Sequence, residues 1–515
     1  MSNSTIDKNK IAKNTIALYI RMAITMFISF ITTRITLEVL GVEDYGLNNL
    51  VSSVVALFSF LNGSMGTAVQ RFYSVEIGRG EENKLGRVFG TSLSLHIIVA
   101  IITAILMEVF ALFFLQKLNI PRERLFAAQI VFQISILSLI LNIISVPYTA
   151  LLRAREEFSK IAIADVMQSV GRLVVVYLLL QIEYDHLITL GLLNFIITIL
   201  YFIFMVYIAR HNKECRNRIC WDNEIIKDIT KFISMLLVTV LASLVRDKGI
   251  VILVNMFFGL VVNAAYAVAM QVMHIVSTFV MNFKQSVVPQ IMTSYGKNDL
   301  KRMNRLVNTG TKITFLLMLI VTFPIIFEGE YILKLWLKEP PQYSYELVCL
   351  VLININVSSF TYFMYQGVHA TGKITIQQIV MSTLYILNII GIYVVFKLGY
   401  TFYYGICVTI IVSFLQCVTN LYFANKTFKY CIKNFLKAIL PQCLIIISIT
   451  TIIMYFVTTN INSSFIRLLI TTMTSSIMIA VSGYFILLDK VEKKNIVNLI
   501  KSSVSRKRDS AQQTN

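Results

Sequence analysis

The chain has 515 residues, of which 57% are hydrophobic and only 14% are charged. Soluble domains are about 45–50% apolar and about 25% charged, so this chain has too little polar surface to coat a water-soluble globule. The formal net charge is +19, which we attribute to basic loops beside anionic lipid headgroups and not to a nucleic-acid partner. An ordinary soluble enzyme is excluded, and a membrane protein is indicated.

Apolar runs of membrane-spanning length recur along the chain. A bilayer core of about 30 Å needs about 20 apolar residues per helix, which predicts about fourteen spans here. In chain order they cover residues 15–37, 47–69, 88–115, 125–147, 161–181, 187–209, 232–258, 264–286, 313–327, 347–366, 376–396, 404–424, 438–458 and 465–488. The first run is too long for a signal peptide, so we expect no cleavable leader.

Basic residues are distributed unevenly between the predicted loops. With the N-terminus in the cytoplasm, most of the 46 lysines and arginines lie in cytoplasmic segments, as the positive-inside rule requires. We therefore predict a multi-pass membrane protein with both termini in the cytoplasm. The seven cysteines are dispersed, and we expect them to be reduced thiols.

One charged loop occurs twice. Residues 78–87 read GRGEENKLGR and residues 296–305 read GKNDLKRMNR, and the difference between positions 78 and 296 gives an offset of 218 residues. The same offset pairs Gly41 with Gly259. This pattern predicts two six-helix units. Because six is even, the units should share one orientation and be related by a pseudo-two-fold axis along the membrane normal, with a substrate site between them near the midplane.

The repeat divides the chain into five predicted segments. They are an N-terminal six-helix lobe at 1–210, a cytoplasmic linker at 211–231, a C-terminal six-helix lobe at 232–425, an extra two-helix segment at 426–488 and a basic cytoplasmic tail at 489–515. We expect an all-α integral membrane fold in which two parallel six-helix repeats form a V-shaped bundle. The extra pair should be peripheral, and the polar tail should be disordered towards its end.

Three short motifs follow predicted helix ends. LGVEDYGL at 40–47 resembles the LG-x-x-x-YG-L signature of polysaccharide exporters, and the segment from Arg71 to Phe89 and ALLRA at 150–154 also fit that pattern. Together they resemble the Wzx-type flippases of polysaccharide and O-antigen repeat units. Those flippases belong to the MOP superfamily and are relatives of the MATE transporters and of the peptidoglycan-precursor flippase. The resemblance covers about residues 10–430.

The resemblance implies a transporter of the bacterial inner membrane, and not an enzyme. Such a protein would move undecaprenyl-pyrophosphate-linked oligosaccharides to the outer leaflet by alternating access, for lipopolysaccharide or other surface-polysaccharide biosynthesis. The implied partners are the lipid-linked oligosaccharide, membrane lipids and other polysaccharide-assembly proteins.

Basic side chains inside the predicted spans are candidate ligands for an anionic pyrophosphate. A lone charge at a helix centre costs about 3 kcal/mol on insertion scales, so it needs a polar setting. The six candidates are Arg21, Arg34, Arg71, Arg172, Arg246 and Lys248. Structural ion pairs, snorkelling to an interface and positive-inside charge are the alternative interpretations.

Three carboxylates in the spans are candidates for H+ or Na+ coupling, and we expect no other cofactor. They are Asp165, Asp247 and Glu108. Asp165 lies seven residues before Arg172, about 10 Å along the helix, which is too far for a direct pair but suits a shared cavity. His96 and His274 are further residues that could titrate in a proton-coupled cycle.

Two other function classes stay open. A MATE-type multidrug or cation antiporter would have the same fold but would prefer an acidic cavity, whereas the deep charges here are mainly basic. A membrane polysaccharide polymerase or glycosyltransferase would need a larger extramembrane domain than the predicted outer loop at 328–346. The sequence also lacks the Walker, HExxH and GxSxG motifs of common hydrolases.

Overall fold

Helices form the structure throughout the described chain. The computed structural model describes residues 8–56, 59–114, 122–216, 219–490 and 492–493, and within these ranges the regular structure is helical, with no strand. The predicted all-α class is therefore confirmed. The chain forms two compact units. Of the described residues, those within Ala12–Val240 and Met292–Asn298 form the N-terminal unit, and those within Leu241–Ile291, Asp299–Asn515 and Met1–Ile11 form the C-terminal unit.

The first six helices supply most of the N-terminal unit. They are α1 (Lys8–Ala56), α2 (Ser59–Arg79), α3 (Glu82–Phe114), α4 (Leu125–Ala154), α5 (Phe158–Leu179) and α6 (His186–Ala209). Buried apolar side chains such as Met107 and Ile143 pack in one cluster, and Tyr73 and Leu151 pack in another. Large apolar side chains such as Phe27 are exposed, which suits contact with lipid.

Helix α7 (Asn223–Gly296) runs for 74 residues. An unbroken helix of this length would extend about 110 Å, far more than one membrane crossing. Its backbone breaks at Gly259, where φ is 76° and ψ is −169°, so it provides two crossings. Helix α1 breaks in the same way at Gly41, where φ is 72° and ψ is 174°. Both glycines have a conformation that is essentially restricted to glycine.

Five further helices complete the repeated part of the C-terminal unit. They are α8 (Leu300–Leu337), α9 (Ser344–Ser359), α10 (Tyr362–Thr371), α11 (Thr375–Lys397) and α12 (Phe402–Phe428). Helices α9 and α10 meet at a 40° bend and together provide one broken span. Val276, Leu352 and Ile392 belong to the buried apolar cluster of this unit.

The last three helices of the described chain pack on α8 and α12. They are α13 (Ile432–Asn434), α14 (Leu440–Asn460) and α15 (Phe465–Ser482), with π-helical turns at Phe435–Ile439 and Gly483–Leu487. Helices α14 and α15 pack against α8, and the first, α13, contacts α12. Arg467 of α15 donates from Nε and Nη2 to Oε2 of the fully buried Glu328, at 3.1 and 2.8 Å. Two N–H groups of one guanidinium therefore fix α15 to α8.

A second ionic contact lies towards the start of α8. The buried Lys312 Nζ lies 3.1 Å from Asp489 Oδ2 and 3.0 Å from Glu492 Oε2. The start of the predicted tail therefore packs on α8. The rest of that tail, from residue 494, lies outside the described residues.

Two predicted connections are partly helical. The prediction of an outer loop at 328–346 is wrong over its first half, because α8 continues to Leu337. Helix α7 begins at Asn223, within the segment predicted as the linker at 211–231.

The boundaries of corresponding helices reproduce the repeat. Helices α3 and α8 begin at Glu82 and Leu300, which differ by the same 218 residues as positions 78 and 296. The preceding turns contain Gly80 and Asn298, which have the same offset and left-handed φ values of 78° and 56°. A repeated backbone therefore underlies the repeated sequence.

Eleven helices of the described ranges are long and apolar enough to cross a membrane, or twelve when α9 and α10 count as one span. Helix α7 provides two crossings because of its break at Gly259. The result agrees roughly with the predicted number of spans.

Candidate functional site

Arg21 and Asp165 form an ion pair in the N-terminal unit. Arg21 Nη1 on α1 donates to Asp165 Oδ2 on α5 at 2.8 Å. The Tyr201 hydroxyl on α6 donates to the other carboxylate oxygen at 3.1 Å. The phenol and the guanidinium together fix the carboxylate between three helices.

Two more arginines adjoin this ion pair. Arg153, in the last turn of α4, is close enough to interact electrostatically with Tyr201, Asp165 and Arg21. Arg172, further along α5, interacts electrostatically with Tyr201. We call Arg21, Arg153, Arg172, Asp165 and Tyr201 the arginine cluster. Its three guanidinium groups and one carboxylate give a formal charge of +2.

Sequence reasoning missed Arg153 as a site residue. It is the arginine of the ALLRA motif, but its position at a helix end makes it look like ordinary positive-inside charge. The signal that could have revealed it is the arrangement of Arg21 and Asp165 on neighbouring helices, which a single sequence does not provide.

The charged triplet at 246–248 lies in the part of α7 that precedes the break at Gly259. Arg246 donates from Nε and Nη2 to Asp247 Oδ1 at 2.9 and 2.6 Å, and its guanidinium carbon lies 4.5 Å from the centroid of the Tyr385 ring. Lys248 is exposed and has no ion pair with a described residue. The predicted coupling carboxylate Asp247 is thus the partner of Arg246.

A further lysine of α7 was not predicted from the sequence. Lys284 Nζ lies 4.4 Å from the centroid of the Tyr362 ring. No carboxylate of the described chain lies within ion-pairing distance of this lysine. Within the described part of the protein, Lys284 is therefore a helical cation without a negatively charged neighbour.

Arg71 belongs to a separate ionic pocket at the end of α2. Its guanidinium stacks on Phe72 and Phe232, at 4.6 and 5.4 Å from the ring centroids. A cavity of about 170 Å³ adjoins it. Glu76 in this pocket already accepts ion pairs from Arg79 at 2.7 Å and from a lysine at 3.3 Å.

The other predicted residues do not join these groups. Arg34 is exposed on α1. Glu108 accepts a hydrogen bond from Gln133 Nε2 at 3.0 Å. His96 is fully buried with Nδ1 2.7 Å from the Ser92 carbonyl oxygen, and His274 is exposed.

A family model named MatE matches residues 17–178 and again residues 232–394, together more than half of the chain. The chain belongs to the MatE family. Members of this family are transporters, so this is a multi-pass membrane transporter. The two matched regions repeat along the chain, as expected for a duplicated six-helix unit.

Several solved structures share the fold of this MatE-family chain. A crystal structure of MATE in the bent conformation aligns with a TM-score of 0.72 at 14% identity, covering 82% of this chain and 95% of that one. A MOP superfamily transporter from Pyrococcus furiosus, described as having a binding pocket of reverse polarity, aligns with a TM-score of 0.66 at 14% identity. That alignment covers 81% of this chain and 96% of the other.

One curated relative matches in sequence. The uncharacterized membrane protein EpsK of Bacillus subtilis (strain 168) is 26% identical over 102 residues. The match spans 20% of this chain and 20% of the relative.

The LGVEDYGL motif of this MatE-family chain has a structural role at a helix break. Gly41 bends α1, and Asp44 just beyond it pairs with Arg124. Arg124 also pairs with Asp185, whose carboxylate caps the start of α6. The motif thus joins α1 to the beginnings of α4 and α6.

Proposed function

We propose that this MatE-family transporter is a flippase for undecaprenyl-pyrophosphate-linked oligosaccharides in the bacterial inner membrane. The observation that carries the proposal is the balance of charge within the helices. The three candidate carboxylates Asp165, Asp247 and Glu108 each have a basic or amide partner. Lys248 and Lys284, by contrast, have no ion pair with a described residue.

An anionic substrate would compensate these cations. A lone charge in a membrane helix costs about 3 kcal/mol, so an uncompensated cation needs a ligand or water. A pyrophosphate offers several oxygens to guanidinium groups, which bind phosphate through two parallel hydrogen bonds. The arginine cluster, with a formal charge of +2, is well suited to this contact.

Transport by alternating access follows from the same electrostatics. Like charges within the arginine cluster repel each other until an anion binds, so binding favours a closed state over an open one. The polar glycan would cross in a protein-lined cavity while the polyprenyl chain stays in lipid. We place both termini in the cytoplasm, and we expect other polysaccharide-assembly proteins to supply and receive the substrate.

A MATE-type antiporter for drugs or other cations is the second candidate. Family membership and the similarity to MATE structures favour it. Such a transporter needs carboxylates that can bind a cation, H+ or Na+, and here Asp165 and Asp247 are already paired with arginines. The binding pocket of the Pyrococcus furiosus transporter is described as having reverse polarity, which is said to suggest a different function for that protein.

Replacing Arg172 tests the proposal directly, because this side chain has no ion pair with a described residue. In a strain that depends on this chain, Arg172→Ala should reduce export of surface polysaccharide at least tenfold at normal protein levels, a loss of about 1.4 kcal/mol. Arg172→Lys should retain part of the activity if charge alone matters.

The exposed Lys297, in the turn after α7, supplies the control variant Lys297→Ala. It should export polysaccharide normally. If polysaccharide export proves independent of this chain while drug efflux is lost with it, the antiporter is established instead.

A further inference from the structure

Two cations of the C-terminal unit lie against tyrosine rings that belong to one aromatic row. The Arg246 guanidinium carbon lies 4.5 Å from the centre of the Tyr385 ring, and Lys284 Nζ lies 4.4 Å from the centre of the Tyr362 ring. Tyr365 interacts electrostatically with both of those tyrosines. We call Tyr362, Tyr365 and Tyr385 the tyrosine row.

Hydrogen bonds fix the middle of the tyrosine row. Gln378 on α11 donates from Nε2 to the Tyr365 hydroxyl at 3.1 Å, and this nitrogen lies 2.9 Å from His369 Nε2. The Tyr365 ring also packs against the His369 ring, with 4.0 Å between the centroids. A ring held in this way loses little conformational entropy when a ligand binds.

Two polar groups beside Tyr362 are only partly satisfied within the described part of the chain. Gln366, which hydrogen bonds with the Tyr362 hydroxyl, is 9% exposed, and its Oε1 atom is buried with no hydrogen-bond donor. No carboxylate among the described residues forms an ion pair with Lys284. A buried acceptor without a donor is energetically unfavourable. A ligand with both a hydroxyl donor and a negative charge would satisfy both groups.

We propose that Lys284, Gln366 and the tyrosine row form a binding position for a sugar linked to phosphate. The inference rests on the proposed flippase function and specifies how its substrate is recognised. The Lys284 ammonium contacts a phosphate oxygen, a sugar hydroxyl donates to Gln366 Oε1, and the apolar C–H face of the sugar packs on the tyrosine rings. A phosphate lipid without sugar uses only the lysine contact.

Another lysine–tyrosine pair in the same unit provides a matched control. Lys426 Nζ lies 5.8 Å from the centre of the Tyr422 ring on α12. Both of these side chains are exposed, so water already solvates the ammonium group. Removing the Lys426 charge should leave ligand binding unchanged.

Two lipids can distinguish the contact of Lys284 with phosphate from the contact of Gln366 with a sugar hydroxyl. The measurement is their binding affinity for the purified full-length protein. The probes are undecaprenyl pyrophosphate and the same lipid carrying one N-acetylglucosamine. We expect Lys284→Met to weaken both probes about tenfold, as loss of a charge-assisted contact does, and Lys284→Arg to restore most of the affinity. Gln366→Leu should weaken only the sugar-bearing lipid. Lys426→Met should bind both lipids as the wild type does.

The outcomes distinguish this inference from the proposed function. If the wild type binds neither lipid, the flippase proposal fails. If Arg172→Ala weakens binding while Lys284→Met and Gln366→Leu bind both lipids normally, the flippase proposal stands and this binding position is wrong. Thermal unfolding checks that each variant is folded, and the smaller changes Lys284→Gln and Gln366→Asn replace any variant that is not.

Discussion

At the scale of single residues, the sequence revealed which side chains carry charge inside the spans but not which of them meet. Arg21 and Asp165 are 144 residues apart, and their contact depends on how α1 and α5 are rotated about their axes. Hydropathy and spacing carry no information on that rotation. For the same reason Lys284 could not be predicted as a site residue, since its neighbour Tyr362 lies on a different helix.

Asp222 is a residue outside the spans for which the structure predicts a pH dependence. Its carboxylate accepts hydrogen bonds from the backbone N–H groups of Ile225 and Glu224 and pairs with Arg87. The backbone bond from Ile225, together with these other contacts, lowers the pKa of Asp222 below its ordinary value of 3.8. Its ionised form therefore stabilises the start of α7.

The sign of the effect follows from the lowered pKa. The contribution of Asp222 to the free energy of unfolding is fully present above pH 3.8 and disappears as the pH falls through the lower pKa of the folded protein. Asp222→Asn preserves a cap but removes the charge. Thermal unfolding should show a constant deficit in Tm for this variant from pH 7 to about pH 5, and a shrinking one below the ordinary pKa. A deficit that persists unchanged to pH 3 would contradict the assignment.

At the scale of helices, hydropathy predicted the membrane-embedded parts well and the helix ends poorly. The span predicted at 313–327 is the middle of α8, which runs from Leu300 to Leu337. Its first turns contain Lys301 and Arg302, so they are too polar to register as a span although they are helical. A hydrophobic window therefore reports the apolar part of a helix and not where the backbone hydrogen bonding begins.

The breaks at Gly41 and Gly259 make a testable prediction about helix geometry. An ideal Cβ at either position meets no atom within 4 Å, so substitution by alanine adds backbone strain without a steric clash. We expect Gly259→Ala to lower the free energy of unfolding by about 1–3 kcal/mol, measured by denaturation in detergent.

Gly46 is the matched control for this strain. It lies in the same helix as Gly41, also has open space around an ideal Cβ, and has no left-handed φ. Gly46→Ala should leave stability unchanged or raise it by up to about 1 kcal/mol. Equal stability of the Gly259→Ala and Gly46→Ala variants would show that the bend in α7 does not depend on glycine.

The ion pair between α8 and α15 predicts strong non-additivity. Arg467→Met would leave the Glu328 carboxylate, which is fully buried, without its charge partner and should cost about 3–5 kcal/mol. The double variant Glu328→Met with Arg467→Met removes both charges and should be clearly more stable than Arg467→Met alone. Thermal unfolding of the four proteins measures the coupling. If the losses of stability in the two single variants add up to the loss in the double variant, the ion pair contributes little to stability.

At the scale of the whole molecule, the repeat was the part of the fold that the sequence predicted best. It was visible because charged loops and turn glycines recur at a fixed offset, and such features do not align by hydrophobicity alone. The departures from the repeat are equally informative. Lys312 and Glu328 correspond to Ser94 and Phe110, and in the second repeat Glu328 binds the extra helix α15 while Lys312 binds the start of the tail.

The duplicated loop also supplies a close helix contact in the N-terminal unit. Gly78 is the second-to-last residue of α2 and Gly296 is the last residue of α7, and they are repeat partners. A Cβ on Gly78 would collide with the Thr293 carbonyl oxygen, and a Cβ on Gly296 would collide with the Val75 carbonyl oxygen. The contact is therefore reciprocal, and neither backbone carbonyl can move aside without disturbing its helix.

Under the proposed alternating-access cycle, this contact belongs to one conformation and is released in the other. Gly78→Ala should therefore disfavour the close contact, and spin labels on Arg79→Cys and Lys297→Cys in a cysteine-free background should report longer distances between the helix ends. Export should fall because one of two required states becomes rare. Gly66→Ala is the control, since its Cβ would meet only a Val146 methyl group at 3.5 Å. An unchanged distance distribution together with full export in Gly78→Ala would show that the glycine contact is a packing detail and not part of the transport cycle.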